Sequence, residues 1–200
     1  MGNSLYSQIN ESINNANYEQ FDNILKKLPS DYNINNINNI SEYSILHSII
    51  KNYYTNPEKR IVYAKMFMDS LKKGANINSF DKNGNTLLIN SVIEDDYNIA
   101  RFLIKNGAKP NIPNKKNYKT PLTYASQLGK INFVLLLLKQ KRIIIQPNTI
   151  SMAENEEIRS LIRNKIKQLD YEYQLDKINS NIKFKSKPYT VSILDELLKK

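Results

Sequence analysis

The chain has 200 residues, 40% of them apolar and 24% charged, which is enough to bury the core of a globular domain. It contains no cysteine, and this excludes disulfide bonds, thiolate nucleophiles and cysteine-based zinc sites. The formal net charge is +10, carried by lysine far more than by arginine.

The N-terminal residues 1–15 lack the charged start and apolar core of a secretory signal. Myristoylation of Gly2 favours Ser or Thr at position 6, and this chain has Tyr6 there. The sequence contains no run of about 18 apolar residues that could span a bilayer. We therefore expect a cytoplasmic protein, or one inside a host cell if its source is a virus or an intracellular bacterium.

The first helical pattern lies in residues 4–35. Its apolar side chains recur at helix spacing and would form one face: Phe21, Ile24, Leu25 and Leu28. A second pattern covers residues 41–78, which include Ser44-Ile45-Leu46-His47 and end in the phrase Lys73-Gly74-Ala75-Asn76-Ile77-Asn78.

The clearest pattern covers residues 81–113, which contain a second copy of the glycine phrase, Asn106-Gly107-Ala108-Lys109-Pro110-Asn111. Gly107 follows Gly74 by 33 residues. Thr86 is a good N-cap for the first of two short helices, and Gly107 suits the left-handed position past the end of the second. The two faces would consist of Leu88, Ser91 and Val92, and of Ile99, Phe102, Leu103 and Ile104.

Residues 114–147 repeat this order. Lys119-Thr120-Pro121-Leu122 follows Asn85-Thr86-Leu87-Leu88 by 34 residues, and the apolar run Phe133–Leu138 takes the place of the second helix. Residues 148–175 are interpreted as a shortened last unit, with apolar positions at Met152, Ala153, Ile158, Leu161, Ile162 and Ile166. Helices this short are unstable alone, so each has to pack against its neighbours in a stacked array.

The last segment, residues 176–200, does not follow the period. Residues 179–187 are polar and basic, and Pro188 interrupts any helix there. A short amphipathic helix is then predicted from Val191, Leu194, Leu197 and Leu198. Two interpretations stay open: this helix docks on the last unit, or it binds a groove of a partner.

The repeated unit resembles the ankyrin-repeat family. Residues 81–113 show the family's turn, Thr-Pro-Leu-type helix start, second helix and Gly-Ala-x-x-Asn end, and residues 114–147 largely keep this frame. The resemblance implies an all-α, helix–turn–helix solenoid of about five units with short β-turn hairpins. The resemblance also implies that residues 1–175 form one repeat domain, with a capping unit at 4–35 and roughly nine extra residues near Asn52–Arg60.

The sequence offers no clustered groups for catalysis. His47 is the single histidine, and the resemblance implies that it holds the turn between repeats by hydrogen bonds. The five glycines are isolated, which excludes a phosphate-binding loop, and Glu94-Asp95-Asp96 lacks the ligand spacing of a calcium loop. We therefore expect no catalytic residue, no cofactor and no metal, and a protein that is not an enzyme.

The resemblance also implies a binding surface, because ankyrin-like stacks bind through the turn tips and the exposed side of the first helices. In the third unit these positions are Lys82, Asn83, Asn85, Ile93 and Glu94. In the fourth they are Lys115, Lys116, Asn117, Tyr118, Lys119, Gln127 and Leu128. Tyr118 replaces the usual turn glycine, which puts the conformation of this tip in question and makes it a candidate aromatic anchor.

Positive charge is concentrated in residues 113–153, which contain no Asp or Glu. Their basic residues are Lys115, Lys116, Lys119, Lys130, Lys139, Lys141 and Arg142. Two interpretations stay open: the codon bias of an AT-rich genome, or a docking face for an acidic protein. We expect a monomeric scaffold or adaptor that binds a protein partner. The alternative is binding to nucleic acid or another anionic surface, aided by Lys183, Lys185 and Lys187.

Overall fold

The computed structural model of the protein describes residues 2–35 and 44–183. The α-helices in these residues follow one another as five pairs. The pairs are α1 (Gly2–Asn14) with α2 (Tyr18–Lys27), α3 (Ile45–Thr55) with α4 (Arg60–Lys72), α5 (Leu87–Ile93) with α6 (Tyr97–Lys105), α7 (Pro121–Gln127) with α8 (Ile131–Leu138), and α9 (Thr149–Met152) with α10 (Glu156–Lys183). The predicted amphipathic helix near residue 194 lies outside the described residues.

The first helices of the third and fourth pairs begin where the sequence predicts. The hydroxyl oxygens of Thr86 and Thr120 accept hydrogen bonds from the backbone N–H groups of Ile89 and Thr123, each at 3.3 Å. Such a cap satisfies a donor that the first helical turn would leave unpaired, and typically stabilises a helix by about 1 kcal/mol. The prediction of Thr86 as an N-cap is confirmed.

The ends of α4 and α6 share one geometry. Gly74 and Gly107 have φ angles of 85° and 95°, in the left-handed region that side chains disfavour. After each glycine the next N–H bonds back to the helix, from Ala75 to Ser70 at 3.0 Å and from Ala108 to Leu103 at 2.9 Å. The recurring Gly-Ala phrase therefore ends the second helix of a pair, as predicted for Gly107.

The core is a continuous layer of apolar side chains between the helix pairs. First helices pack on first helices, as α5 does on α7, and second helices on second helices, as α6 does on α8. Leu88 and Leu122 occupy matching positions 34 residues apart, and both are buried. Within residues 2–35 and 44–183 no β-strand forms, although one antiparallel bridge joins Phe80 and Thr86 at a turn hairpin.

The second and fifth pairs differ in length from the others. In the second pair, α3 continues to Thr55 and the short 3-10 turn Pro57–Lys59 leads directly into α4, so the extra residues lengthen both helices. In the fifth pair, α10 has 28 residues and continues across position 175, the domain boundary predicted from the sequence. Ile158 and Ile162 of α10 are buried, whereas Tyr171 and Tyr173 are exposed.

Candidate functional site

The turn before α5 is organised by Asp81. Its carboxylate accepts hydrogen bonds from the backbone N–H groups of Asn83 and Asn85, at 2.8 and 2.9 Å, and from the Asn90 side chain at 2.9 Å. Gly84 closes the turn with φ 79°. A Cβ atom at Gly84 would lie 3.2 Å from the backbone nitrogen of Lys115, so a side chain there would be crowded by the next turn.

The turn before α7 is organised around Asn114 and is one residue longer, because the Asn114 N–H bonds to the oxygen of Lys119 where the Asp81 N–H bonds to that of Asn85. Its side-chain oxygen accepts from the backbone N–H groups of Lys116 at 2.6 Å and Asn117 at 3.0 Å. Tyr118 stands where the previous turn has Gly84, and it adopts φ 59°. The left-handed turn therefore forms in spite of the tyrosine, which is 71% exposed. This resolves the question that the sequence leaves about this tip.

Neighbouring turns are joined by hydrogen bonds. The Asn114 amide donates to the backbone oxygen of Asn83 at 3.0 Å, and the Lys115 N–H donates to the backbone oxygen of Gly84 at 2.9 Å. On the other side, the Gln146 amide donates to the backbone oxygen of Tyr118 at 2.8 Å. These hydrogen bonds fix the backbone of both turns, which reduces the conformational entropy that would be lost on binding.

The fourth-unit tip continues into the exposed side of α7. The Asn117 side chain donates to the Tyr124 hydroxyl at 2.8 Å, and the Lys119 ammonium donates to the Gln127 side-chain oxygen at 2.7 Å. We call the following residues the tip surface: Lys116, Asn117, Tyr118, Lys119, Tyr124 and Gln127. Tyr124 was not predicted from the sequence, although it lies one helical turn before Gln127 and therefore on the same side of α7.

The structure leaves most of the predicted partner-binding residues accessible. The exposed ones are Lys82, Asn83, Ile93, Glu94, Lys115, Lys116, Asn117, Tyr118, Gln127 and Leu128, and Lys119 is half-buried. The prediction that Asn85 is accessible is wrong, because Asn85 is only 6% exposed. Its side-chain oxygen accepts a hydrogen bond from the Asn114 amide, so it joins two turns instead of facing a partner.

The basic residues of the fourth unit point to different places. The Lys115 ammonium lies 4.2 Å from the centre of the Phe80 ring, towards the third unit. The Lys130 ammonium lies 3.2 Å from the backbone oxygen of Ile93 and 3.2 Å from the Asp95 carboxylate. Lys116 and Lys119 lie on the turn before α7, and Lys139, Lys141 and Arg142 follow the end of α8. The seven charges predicted from the sequence therefore do not form one patch.

His47 is buried, with 3% of its surface exposed, and its ring takes part in a hydrogen-bonded chain. The Ser79 hydroxyl donates to the Ser44 oxygen at 2.7 Å, and the Ser44 oxygen lies 2.7 Å from Nδ1 of His47. Because Ser44 receives one proton from Ser79, its own proton is available for Nδ1. Burial lowers the pKa of His47 to about 4, against the opposing influence of Asp81 and the Asn85 backbone. His47 is therefore neutral at pH 7, and through Ser44 its ring is connected to Ser79, while its buried Nε2 has no hydrogen-bond partner among the described residues.

The acidic run before α6 has structural roles. Asp96 caps α6 by accepting from the Ile99 N–H at 2.9 Å, and Asp95, with φ 61°, pairs with Lys130. Across the described residues, no three His, Asp or Glu side chains group closely enough to hold a metal ion. None of the helices described here combines the length and apolar character needed to cross a bilayer.

These features define a stacked helical-repeat protein that presents an outer surface. Comparison with known families agrees: the family model of ankyrin repeats in three copies matches residues 13–114 and 63–151. The chain belongs to the ankyrin-repeat family. The crystal structure of the ankyrin repeat domain of Bcl-3, a member of the IkappaB protein family, superposes with a TM-score of 0.59. That match has 18% identity and covers 77% of this chain and 66% of that one, so it supports the fold alone.

Two curated proteins are similar in sequence. Alpha-latroinsectotoxin-Lt1a of Latrodectus tredecimguttatus is 32% identical over 121 residues, which are 60% of this chain and 8% of the toxin. A protein of Rickettsia bellii (strain RML369-C) named as an ankyrin repeat protein is 36% identical over 88 residues, 42% of this chain and 25% of that protein. The chain thus spans a quarter or less of the length of these relatives.

Proposed function

We propose that this protein is a non-catalytic scaffold or adaptor that binds a protein partner through the tip surface. Ankyrin repeats are in general protein–protein interaction modules. The observation that carries the proposal for this chain is Tyr118, a large aromatic side chain held 71% exposed on a left-handed turn. Its own packing does not explain a tyrosine there, whereas exposed aromatic residues are enriched at the centres of protein interfaces.

The residues around Tyr118 favour an acidic partner. Lys116 and Lys119 flank it on the turn, and residues 113–153 contain no Asp or Glu to neutralise them. A partner with carboxylates facing these lysines would gain electrostatic steering, which mainly raises the association rate. We further propose that the repeats of residues 1–175 act as one domain, monomeric by itself, in the cytoplasm, with α10 continuing beyond residue 175.

Nucleic acid remains the alternative partner. Its support is the net charge of +10 and the excess of lysine. The basic side chains are divided among the tip surface, the contact with Asp95 and the end of α8. This distribution supports a nucleic-acid partner less than a protein partner, because a nucleic-acid backbone needs a continuous basic track.

The test is affinity capture with the full chain from nuclease-treated lysate of the source cell, at low and high salt, with identification by mass spectrometry. The wild type is compared with a tip variant, Lys116→Glu with Lys119→Glu. The matched control is Lys139→Glu with Lys141→Glu, which makes the same charge change on exposed residues after α8. Circular dichroism checks that each variant folds.

We expect at least one protein to be retained at high salt by the wild type and the control variant and lost by the tip variant. Loss from both variants, or retention by both, would contradict a role for the tip surface. Recovery of nucleic-acid-associated material alone, released by salt, would replace the proposal with its alternative.

A further inference from the structure

Packing between first helices is weakest at the junction of the second and third helix pairs. Helices α3 and α4 have 11 and 13 residues, whereas α5 and α6 have 7 and 9. Elsewhere in the described stack successive first helices pack directly, α1 on α3, α5 on α7 and α7 on α9, but α3 packs much less on α5. The longer pair therefore extends past the shorter one, and Tyr53 and Tyr54 near the end of α3 are only partly buried.

A cavity of about 210 Å³ lies at this junction, lined by residues of α3, α4 and α6. Aromatic rings make up much of its wall, among them Tyr53, Phe67 and Phe102. The rings of Phe67 and Phe102 meet edge to face with their centres 5.5 Å apart, and this contact joins α4 to α6. No lining residue carries a charge, so the cavity suits a neutral molecule.

One lining residue, Tyr63 of α4, has an unmet hydrogen-bonding group. Tyr63 is 1% exposed, and its hydroxyl finds no hydrogen-bond partner among the described residues. Buried hydroxyl groups normally have a hydrogen-bond partner, so the Tyr63 hydroxyl is available to pair with a bound molecule. Burial, followed by the nearby Glu58 carboxylate, raises the pKa of Tyr63, which keeps the hydroxyl protonated and able to donate at neutral pH.

We propose that this cavity binds a small neutral aromatic molecule with one hydrogen-bonding group, which pairs with the Tyr63 hydroxyl. The volume fits a single ring with a substituent, since an apolar cavity of about 150 Å³ accepts benzene. The aromatic wall favours edge-to-face contacts with such a ring. The site lies on the second and third units, and so it does not depend on the tip surface of the fourth.

The experiment uses the full chain and two probes that differ by one hydroxyl group, 4-fluorophenol and fluorobenzene, titrated by fluorine NMR. Tyr63→Phe removes the hydroxyl and keeps the ring. Ala64→Trp fills the cavity from an exposed lining position, and Ala64→Leu is a milder filling variant. The matched control is Tyr54→Phe, because the Tyr54 hydroxyl is also buried and unpartnered among the described residues but does not line the cavity.

We expect both probes to bind the wild type saturably. Tyr63→Phe should raise the Kd of 4-fluorophenol about fivefold to tenfold, as loss of one hydrogen bond predicts, and change the Kd of fluorobenzene by less than about twofold. Filling at Ala64 should abolish binding of both probes, and Tyr54→Phe should change neither. Failure of 4-fluorophenol to saturate the wild type, or undiminished binding to the folded Ala64→Trp variant, would overturn the proposal. Equal weakening of the two probes by Tyr63→Phe would overturn the role of the hydroxyl.

Discussion

The side-chain oxygen of Asn111 accepts a hydrogen bond from the backbone N–H of Ile144, at 2.9 Å and 33 residues further along the chain. Asn78 makes the same contact with the N–H of Lys109 at 2.8 Å, and Asn35 with that of Asn76 at 2.7 Å. The donating N–H group in each case lies beyond the next second helix. Asparagine thus links successive units at a repeated position, in addition to the apolar core.

Replacement of Asn111 by alanine is predicted to lower the free energy of unfolding by about 1 to 2 kcal/mol, because two hydrogen bonds are lost. These are the bond from Ile144 and the bond that the Asn111 amide donates to the backbone oxygen of Arg142 at 2.8 Å. Urea unfolding measures the change. Asn111→Asp keeps the acceptor oxygen and should therefore lose less stability than Asn111→Ala. An equal decrease in the free energy of unfolding in both variants would show that the Ile144 contact contributes little.

Gly107→Val is predicted to destabilise the protein by about 1 to 3 kcal/mol, because a β-branched residue is strained at positive φ. The φ angle of Gly107 is 95°, and no atom lies within 4 Å of the position that its Cβ would take. Backbone strain alone should therefore produce the loss. Thermal unfolding would record it, with Gly107→Asn as the control, since asparagine tolerates the left-handed region better. An unchanged melting temperature in Gly107→Val would refute this account of the helix end.

The buried His47 predicts a loss of stability in weak acid. Its pKa is about 4 in the folded protein and 6.5 for an unperturbed histidine of an unfolded chain, so the unfolded state binds the proton more readily. The stabilising contribution is complete above pH 6.5 and is lost as the pH falls from there towards 4. Between about pH 7.5 and about pH 4.5 the loss from this one group should approach 2 to 3 kcal/mol.

The measurement compares urea unfolding of the wild type and His47→Leu at both pH values. Groups other than His47 are common to both proteins, so the difference between their pH dependences isolates the histidine. The leucine variant is expected to lose less stability on acidification than the wild type. Parallel curves would mean that the ring is accessible to protons in the folded state.

Tyr118→Gly is predicted to stabilise the fold and weaken partner binding. Glycine removes the strain of a side chain at φ 59°, although it loses more conformational entropy on folding than tyrosine does. The net increase in the free energy of unfolding should be about 0.5 to 1 kcal/mol. Tyr118→Ala is the control, because it removes the ring but keeps the strained backbone and should bring no such gain. Melting temperatures and binding of the captured partner test both effects, and a Tyr118→Gly variant that binds as well as the wild type would argue against an anchor role.

Much of the fold could be predicted because it depends on groups close together in the chain. The hydroxyl of Thr86 lies three residues from the N–H that it caps, and the conformation of Gly107 follows from the absence of a side chain. The 33-residue spacing from Gly74 to Gly107 then showed that these local signals repeat. Burial of the apolar faces between stacked units followed, because helices this short cannot persist alone.

The candidate site could be predicted only in part, because contacts between units decide which polar side chains remain accessible. Asn83 and Asn85 are two residues apart and of one type, yet Asn83 is exposed and Asn85 is covered by Asn114 of the next turn. Asp95 meets Lys130 across 35 positions, which pairs that lysine with the third unit. Such pairings depend on how far each unit is shifted and rotated on its neighbour, which one unit's sequence does not encode.

The sequence by itself therefore determined the repeated unit, its helix caps and the positions of its turns, since these follow from hydrogen bonds and steric limits within a few residues. Tertiary structure alone decided the burial of Asn85, the continuity between the tip and Tyr124, and the cavity beside Tyr63. The physical reason is that each depends on the distance between helices from different units or on a side chain's reach across a turn. Packing of the whole stack sets both quantities.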